Sequence, residues 1–578
     1  MKVLLIHPED ALDKCSRQHW DLVVDIARAP RETYSHWSRE TGCPVVSIYD
    51  HAEETEDLYR LRGLLQLGTG RVVDRWGIDW WDVFSLEIAS GLQRLMLVQR
   101  LSKKLPANCD LYSTRPNSAA AALQRILGAR VTNLSGGLHS VTRRLRRYCE
   151  ALSRLDNADL LQVFEDKFDA DHSIRRRFSV RRRGLTQPAV LLPSAYINVS
   201  RTALSYAALL PQQQFVLVVA RRNGYLATVP PNVTVASLTP YFGPTDQQEL
   251  ASLRESWDIL KTSLAVCAAE FETAEAAGLL GTASAPFGWG AAVRDAWLRF
   301  FASARVTTCL SADDSNPHTR IPLILAKRQG ISAIACHHGA LDFRMAIKAN
   351  HADLYLAKTE MERDYMRRIC HLSPEKIAVV APASPQPRAL QPEARRSAPW
   401  LVFFTEPYPS YSWRSDEVYR DLLPRLWSLA QTCGLKLVFK LHPFESVRGH
   451  RGMLRRLIPE HEHQIEVLAG PPSDQLWNSI QFALTVQSST AVECDILGIP
   501  VFLCAWLRDP FSRYVQQYAR FGIGQVLESS EQMAEIPGLL TSRNEKPSER
   551  QAASGAIGSD ELEHLFSGAC SLPMASNG

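Results

Sequence analysis

Short apolar runs alternate with longer amphipathic stretches along most of the chain. This alternation predicts parallel sheets with helices on both faces. The predicted strands span residues 2–7, 21–26, 43–49, 110–114, 131–134, 189–192, 215–220, 306–310, 332–336, 352–357, 377–380, 401–404, 436–440, 465–468, 482–486 and 501–504. The main predicted helices span residues 76–104, 117–128, 245–277, 292–303, 318–329 and 418–432. The fold class is therefore α/β, with two Rossmann-like, doubly wound domains that face a cleft.

Two stretches break the alternation and set the predicted domain boundaries. A helical, charged insert covers about 142–184, and residues 386–399 are rich in Pro, Arg and Ser without periodicity, as a linker would be. Residues 1–385 are therefore predicted as the N-terminal domain and 400–540 as the C-terminal domain. The polar, small-residue segment 541–578 is predicted to be a disordered tail.

Composition narrows the class of protein. The chain has 578 residues, 46% hydrophobic and 22% charged, which is typical of a globular protein of two or three domains. A net charge of +4 is too weak to indicate nucleic acid as a partner. The 12 cysteines form no CxxC pair, so the pattern favours a reducing compartment over a zinc or redox motif. With no signal peptide or membrane-spanning run, a cytoplasmic location is predicted.

One basic segment lies in the insert. Six arginines between Arg175 and Arg183 surround two apolar residues. They suit an anionic lipid head group or a polyanionic acceptor, and so a peripheral contact with the inner face of the cell membrane. The alternative is a solvated linker.

Polar clusters follow five of the predicted strands. In open α/β sheets, ligands bind at the carboxyl ends of the strands, so these clusters are candidates for a common cleft. They are Asp313-Asp314, His337-His338-Gly339, Thr405-Glu406, His442-Pro443 and Gln487 to Thr490.

The C-terminal clusters have the residue types of a nucleotide-binding site. His442 can donate to a phosphate oxygen, Pro443 fixes the turn, and Lys440 adds a positive charge. Gln487, Ser488, Ser489 and Thr490 open a helix whose hydroxyls and amides can hold phosphate, although Ser488 and Ser489 are equally suited to capping it. Glu493, one turn further on, can accept from ribose hydroxyls or simply complement the helix dipole.

The N-terminal clusters supply candidates for a general base. A histidine has a pKa near neutral pH, and Gly339 beside it allows close approach of a ligand, so His338 is preferred over His337. Asp313 and Asp314 are the rival bases, or else they cap the following helix. Glu406 and His7 are further candidates for the lining of the cleft.

Several motifs are missing from the sequence. The Asp169–Asp171 match to DxD lies in the charged insert, so no metal is expected at the site, and no cofactor other than the substrate. GxGxxG, GxxxxGK[ST] and GxSxG do not occur, which argues against a dehydrogenase, a P-loop ATPase and an α/β-hydrolase.

Between about residues 306 and 504 the chain resembles bacterial GT-B glycosyltransferases of surface and capsule polysaccharides. The segments that carry the resemblance are a strand ending in HG, ADLYLAKTEMERDYM, PEKIAVVAPASP, KLHP and QSSTAVECDILGIPV. It is similar to Kdo- and sialic-acid-transferring enzymes and to CDP-glycerol glycerophosphotransferases. The resemblance implies that His442-Pro443 and Ser488-Ser489 hold the donor phosphate and that His338-Gly339 includes the base. Ala381-Pro382 and Asp313-Asp314-Ser315 depart from the motifs of these families.

Together these features predict a glycosyltransferase of the cell envelope. It would move a sugar from a nucleotide-sugar donor to a surface glycan or lipid-linked acceptor, without metal and with inversion. The alternatives are a nucleotide-sugar 2-epimerase and a non-catalytic glycan-binding or scaffold protein of a polysaccharide export system.

Overall fold

A computed structural model gives the fold of the chain. It describes residues 1–7, 18–26, 31–51, 54–114, 117–134, 187–221, 224, 228–280, 287–341, 343–381, 399–406, 412–443, 445–507, 514–545 and 559–566. The predicted insert at 142–184, including Arg175 to Arg183, and nearly all of the predicted linker lie outside these residues.

The described strands form three sheets, of five, seven and six strands. Within each sheet the paired strands run parallel. In chain order the strands are β1 Lys2–Ile6, β2 Leu22–Asp25, β3 Val45–Ser47, β4 Asp110–Ser113, β5 Val131–Asn133, β6 Ala189–Ser194, β7 Phe215–Val219, β8 Val233–Ser237, β9 Val306–Ser311, β10 Ser332–Cys336, β11 Leu354–Ala357, β12 Ile377–Val379, β13 Trp400–Phe404, β14 Lys436–Lys440, β15 Glu466–Leu468, β16 Ile480–Thr485, β17 Val501–Cys504 and β18 Gln525–Leu527.

Strand order gives each sheet a point at which its direction of winding reverses. The orders are β3-β2-β1-β4-β5, β12-β11-β10-β9-β6-β7-β8 and β15-β14-β13-β16-β17-β18. The reversals therefore fall between β1 and β4, between β6 and β9, and between β13 and β16. This is the doubly wound Rossmann-like topology, which confirms the predicted fold class.

Helices connect the strands and cover the sheets. They are Arg31–Thr41, Glu54–Gln66, Trp80–Val83, Ser85–Ser102, Ser118–Leu127, Ile197–Ala207, Gln247–Cys267, Ala269–Ala276, Phe287–Ser303, Pro317–Arg328, Phe343–Ile347, Glu360–Arg368, Ser412–Thr432, Val447–Leu457, Asp474–Ser479, Thr490–Ile496, Tyr514–Phe521, Ile536–Glu545 and Ser559–Phe566. Among the described helices, none combines the length and apolarity that crossing a membrane requires.

Continuous apolar runs explain the central strands. β7 reads FVLVV and is buried along its whole length, as a strand covered on both faces must be.

The first 385 residues contain two of the three sheets, joined by buried ion pairs. Arg320, on the helix after β9, pairs with Asp82 of the short helix Trp80–Val83. Arg294 bonds Asp74 at 2.7 Å, with both side chains fully buried. The five-stranded sheet therefore packs on the helices of the seven-stranded sheet through paired charges as well as apolar contacts.

Two long helices predicted as continuous are interrupted. The predicted helix 76–104 begins only at Trp80, because Gly77 has φ of 77° and the Asp79 side chain caps Trp81. The predicted helix 245–277 is two helices, with Ala268 in extended conformation between them. The hydrophobic periodicity continues across Ala268, so it does not reveal a helix break caused by one residue in extended conformation.

The tail prediction is wrong for part of 541–578. Helix Ser559–Phe566 packs on the seven-stranded sheet, where Leu562, Leu565 and Phe566 are buried. The Phe566 ring lies 6.1 Å from that of Phe215, and its carbonyl accepts a 2.8 Å bond from Thr308 Oγ1. This short helix is stabilised only by packing on a sheet whose last strand ends at Val379, far earlier in the chain, and the composition of the segment does not reveal that contact.

Candidate functional site

The carboxyl ends of the seven-stranded and six-stranded sheets meet across a cleft. Asn198, just after β6, lies with its Nδ2 3.0 Å from His442 Nε2, just after β14. The charges of Lys358, after β11, and Arg201 act on Glu493 of the opposite domain. Side chains that follow the winding reversals of the two sheets are thus brought together, as ligand sites of this topology require.

The His442 loop is held by its backbone as well as by its ring. The His442 amide donates to Thr405 Oγ1 at 2.9 Å and to Glu445 Oε2 at 3.1 Å. Burial, followed by the nearby charges of His338, Lys440 and Arg201, lowers the pKa of the His442 ring to about 3. The imidazole is therefore neutral at pH 7. With Nε2 accepting from Asn198, Nδ1 carries the proton.

Lys440 lies at the end of β14 with its side chain buried. Its Nζ donates to the Leu441 carbonyl at 2.9 Å. Burial, followed by the charge of Arg201, lowers the pKa of the ammonium to about 8, against the opposing effect of Glu445 and Glu493. Lys440 therefore adds positive charge to the C-terminal side of the cleft.

Glu445, three residues after His442, is a part of this loop that the sequence interpretation missed. Its carboxylate accepts from Thr405 Oγ1 and from the His442 amide. Burial, together with repulsion from Glu406, raises its pKa to about 7, although the hydrogen bonds from Thr405 and the His442 amide oppose the increase.

The turn from Gln487 to Thr490 is organised by Glu406. Glu406 Oε1 accepts from the Gln487 amide at 2.6 Å and from Thr485 Oγ1 at 3.1 Å, so that amide is already bonded. Ser488 Oγ accepts from the Thr490 amide at 3.3 Å, and its carbonyl accepts from Tyr518 Oη at 2.9 Å.

Ser489 occupies the N-cap position of helix Thr490–Ile496 without a side-chain capping bond. Of the two serines predicted to bind phosphate, Ser488 therefore makes the local structural bonds, and Ser489 makes no capping bond.

Glu493 is half-buried, one turn into this helix. Burial raises the pKa of its carboxyl, and the charges of Lys358, Arg201 and Lys440 oppose that increase. Three cations from both domains therefore surround it. Its predicted role with ribose hydroxyls stays a prediction.

On the opposite wall, Asp313, His337 and His338 form a cluster. One ligand-type atom of each lies within 4.8 Å of those of the other two. Burial favours a raised pKa of the Asp313 carboxyl, but the charges of His338, Lys348 and His337 outweigh it and hold the pKa well below its usual range. Burial, and then the charge of His338, lowers the pKa of His337.

Neither Asp313 nor Asp314 is the N-cap of the helix that follows. That position is taken by Asn316, which accepts from the His318 amide. Asp313 instead accepts from the Ser315 amide at 3.0 Å and from Asn316 Nδ2 at 3.1 Å. Asp314 is almost fully buried in an ion pair with Lys348, so it faces the protein interior more than the cleft.

Gly339 has open space beside it. Among the described residues, its chain neighbours aside, no atom lies within 4 Å of where a Cβ would stand, and its φ is not in the left-handed region. The Gly339 carbonyl accepts from Lys358 Nζ at 3.0 Å, and the same ammonium pairs with Glu362. Gly339 therefore leaves open space at the cleft. Its backbone conformation does not require a glycine at this position.

His7 ends the first strand of the five-stranded sheet, which is a different sheet from the one that carries His338. The residues that the sequence interpretation did not assign are Asn198, Arg201, Lys358 and Glu445. The first two follow β6 in the run LLPSAYINVSR, and the strand-end rule applied to that run points to them.

The fold and the cleft define the chain as a protein of two facing Rossmann-like domains in the GT-B arrangement, with an additional N-terminal parallel sheet. No protein-family model matches the chain, and no curated protein matches it.

Solved structures with a similar fold include a Methanocaldococcus jannaschii UDP-GlcNAc 2-epimerase in complex with UDP-GlcNAc and UDP. It is 10% identical, covers 66% of this chain and 96% of its own, and has a TM-score of 0.38. S. aureus MnaA with UDP is 11% identical, covers 66% of this chain and 91% of its own, with a TM-score of 0.38. The wall teichoic acid polymerase TagF is 10% identical, covers 75% of this chain and 97% of its own, with a TM-score of 0.39. At these identities and TM-scores, the likeness does not bear on the reaction.

Proposed function

We propose that the chain is a glycosyltransferase that moves a sugar from a nucleotide donor to a glycan or lipid-linked acceptor. The observation that carries the proposal is the meeting of Asn198 and His442 across the cleft, with the Asp313 cluster on one side and the Ser488 turn on the other. Hydrogen-bond donors on one wall and proton acceptors on the other are what transfer from a phosphate leaving group needs.

The C-terminal wall would bind the donor. A neutral His442 with a proton on Nδ1 can donate to a phosphate oxygen, and Ser489 is placed to add a hydroxyl. Arg201 and Lys440 supply positive charge in a partly buried site, where charges interact more strongly than in water. They would stabilise the leaving phosphate without a metal bridging it.

The N-terminal wall would bind the acceptor. His338 is half-buried and close enough for its charge to act on His442, which supports a role near the reacting centre. In the proposed step the acceptor oxygen attacks the anomeric carbon, the bond from that carbon to the phosphate oxygen breaks, and His338 takes the acceptor proton. Asp313 would stabilise the resulting imidazolium.

A nucleotide screen tests the proposal. Thermal shifts of the purified chain are compared with UDP, UDP-GlcNAc, CMP, CDP and GDP, since a ligand that binds the folded state raises its melting temperature. One nucleotide class is expected to stabilise the wild type and the exposed control His463→Ala, but not His442→Ala.

Release of nucleotide from the matching donor, dependent on acceptor, then distinguishes transfer from 2-epimerisation, which needs no acceptor. Absence of any nucleotide binding, or equal binding by His442→Ala, would refute the proposal.

A further inference from the structure

The cluster of Asp313, His337 and His338 has the donor set of a metal site. It supplies one carboxylate oxygen and two imidazole nitrogens, all within 4.8 Å of one another. Asp313 follows β9 and the histidines follow β10, and these strands pair directly in the middle of the sheet. The donors therefore directly follow two neighbouring central strands. Two imidazoles and one carboxylate suit a divalent transition metal such as zinc.

Burial supports a bound ligand at this position. Asp313 is 3% exposed and His337 is 9% exposed. The Nδ1 atom of His337 is buried and has no hydrogen-bond partner among the residues that the structure describes. Buried ring nitrogens normally have a partner, so an unpartnered one beside a carboxylate needs an explanation. A metal ion bound to Nδ1 of His337 would be that partner.

The charge balance also favours a cation. Asp313 and Asp314 bring two negative charges, and Lys348 compensates one of them through its ion pair with Asp314. Metal binding requires both imidazoles to be neutral, and the cluster then keeps one net negative charge. Of the other nearby cations, Arg320 is paired with Asp82 and Lys358 is paired with Glu362 at 3.0 Å.

We propose that Asp313, His337 and His338 bind one divalent cation of the zinc type, with its remaining coordination position open to the cleft. Zinc bonds to nitrogen and oxygen measure about 2.0–2.2 Å, so tetrahedral ligands lie roughly 3.4 Å apart. The three donors therefore need to close by roughly 1.4 Å at most. The open space beside Gly339 allows the His338 loop to make that adjustment.

One consequence rests on the proposed function. A cation on His338 takes the lone pair that would accept the acceptor proton, so zinc is expected to inhibit sugar transfer. The binding site itself does not depend on the reaction.

Metal titration of the full chain tests the site. Protein treated with a chelator and dialysed is titrated with Zn²⁺ by calorimetry and with Co²⁺ by visible absorption. We expect one ion per chain, with the intense d–d bands of a four-coordinate Co²⁺ site. His337→Asn and Asp313→Asn should each reduce affinity by at least about tenfold. His19→Asn, at a side chain 88% exposed, should leave it unchanged.

X-ray absorption of the zinc-loaded wild type keeps the test valid if these variants fold poorly. Two imidazoles with one or two oxygen ligands support the site. Sulfur ligands, fewer than two imidazoles, or no stoichiometric binding overturn it.

The two proposals fail separately. Transfer activity without metal binding removes the metal site alone. Metal binding without nucleotide binding removes the transferase alone.

Discussion

Replacing Lys348 tests the electrostatic support beneath the candidate active site. Its side chain is fully buried, and its ammonium pairs with Asp314, whose side chain is 2% exposed. The ammonium contacts Asp314 Oδ1, and Asp314 Oδ2 has no hydrogen-bond partner among the described residues. Arg320 bonds the Asp314 carbonyl, but its guanidinium is committed to Asp82. Lys348→Met would leave a buried carboxylate almost uncompensated.

The expected loss is about 3–5 kcal/mol, the usual result of removing one partner of a buried ion pair. If a unit of about 150–250 residues melts cooperatively, this corresponds to a fall of roughly 6–20 °C in the melting temperature. Differential scanning calorimetry measures it, and near-ultraviolet circular dichroism confirms that the variant is folded before heating.

The double variant Lys348→Met with Asp314→Asn is the matched control. Because it removes both charges, it is expected to recover at least half of the lost stability. The reasoning is refuted if Lys348→Met costs less than about 1 kcal/mol, or if the double variant is no more stable than the single one.

Three further predictions concern the cleft loop and the C-terminal helix. His442→Ala is expected to weaken nucleotide binding by about 10- to 100-fold through loss of a charge-assisted bond, with His463→Ala unchanged in the same calorimetric titration. Burial raises the pKa of Glu445 from 4.5 to about 7, so its contribution to stability is fully present below pH 4.5 and is lost as the pH rises to 7. Glu445→Gln should remove that pH dependence, at most about 3 kcal/mol, and equal slopes in pH-resolved urea unfolding of both proteins would contradict it. Phe566→Ala should cost about 3–5 kcal/mol because the ring is fully buried on the seven-stranded sheet, whereas the exposed Glu563→Ala should have no effect on thermal unfolding.

Local sequence signals located most of the described strands and their polar ends, but they missed the edge strands β8 and β18. Apolar runs such as β7 and β14 are typical of strands in a sheet covered on both faces, and a polar residue directly after such a run lies at the edge of that sheet. Asp313, His338 and His442 were found in this way, and the structure brings the cluster around Asp313 and His338 opposite His442. Their chemical roles stay predictions.

Contacts between distant segments did not follow from local signals. Asn198 stood out in no motif, because its importance comes from β6 lying beside β9, at the reversal of winding in its sheet. In the sequence, Glu445 is one glutamate in a loop like any other. Its raised pKa results from burial and from the nearby Glu406 in the folded protein. The helix Ser559–Phe566 is too short to be stable alone, and it forms on the sheet that buries its apolar side chains.

By itself, the sequence determined the α/β class, the parallel strands and the positions of the polar strand ends, because these depend on side-chain periodicity within a few residues. Only the tertiary structure decided that the first 385 residues hold two sheets and which strand ends share a cleft. It also decided that Asp314 is buried in an ion pair while His338 stays half-exposed. Strand order, burial and the field of neighbouring charges depend on residues far apart in the chain, so no local pattern contains them.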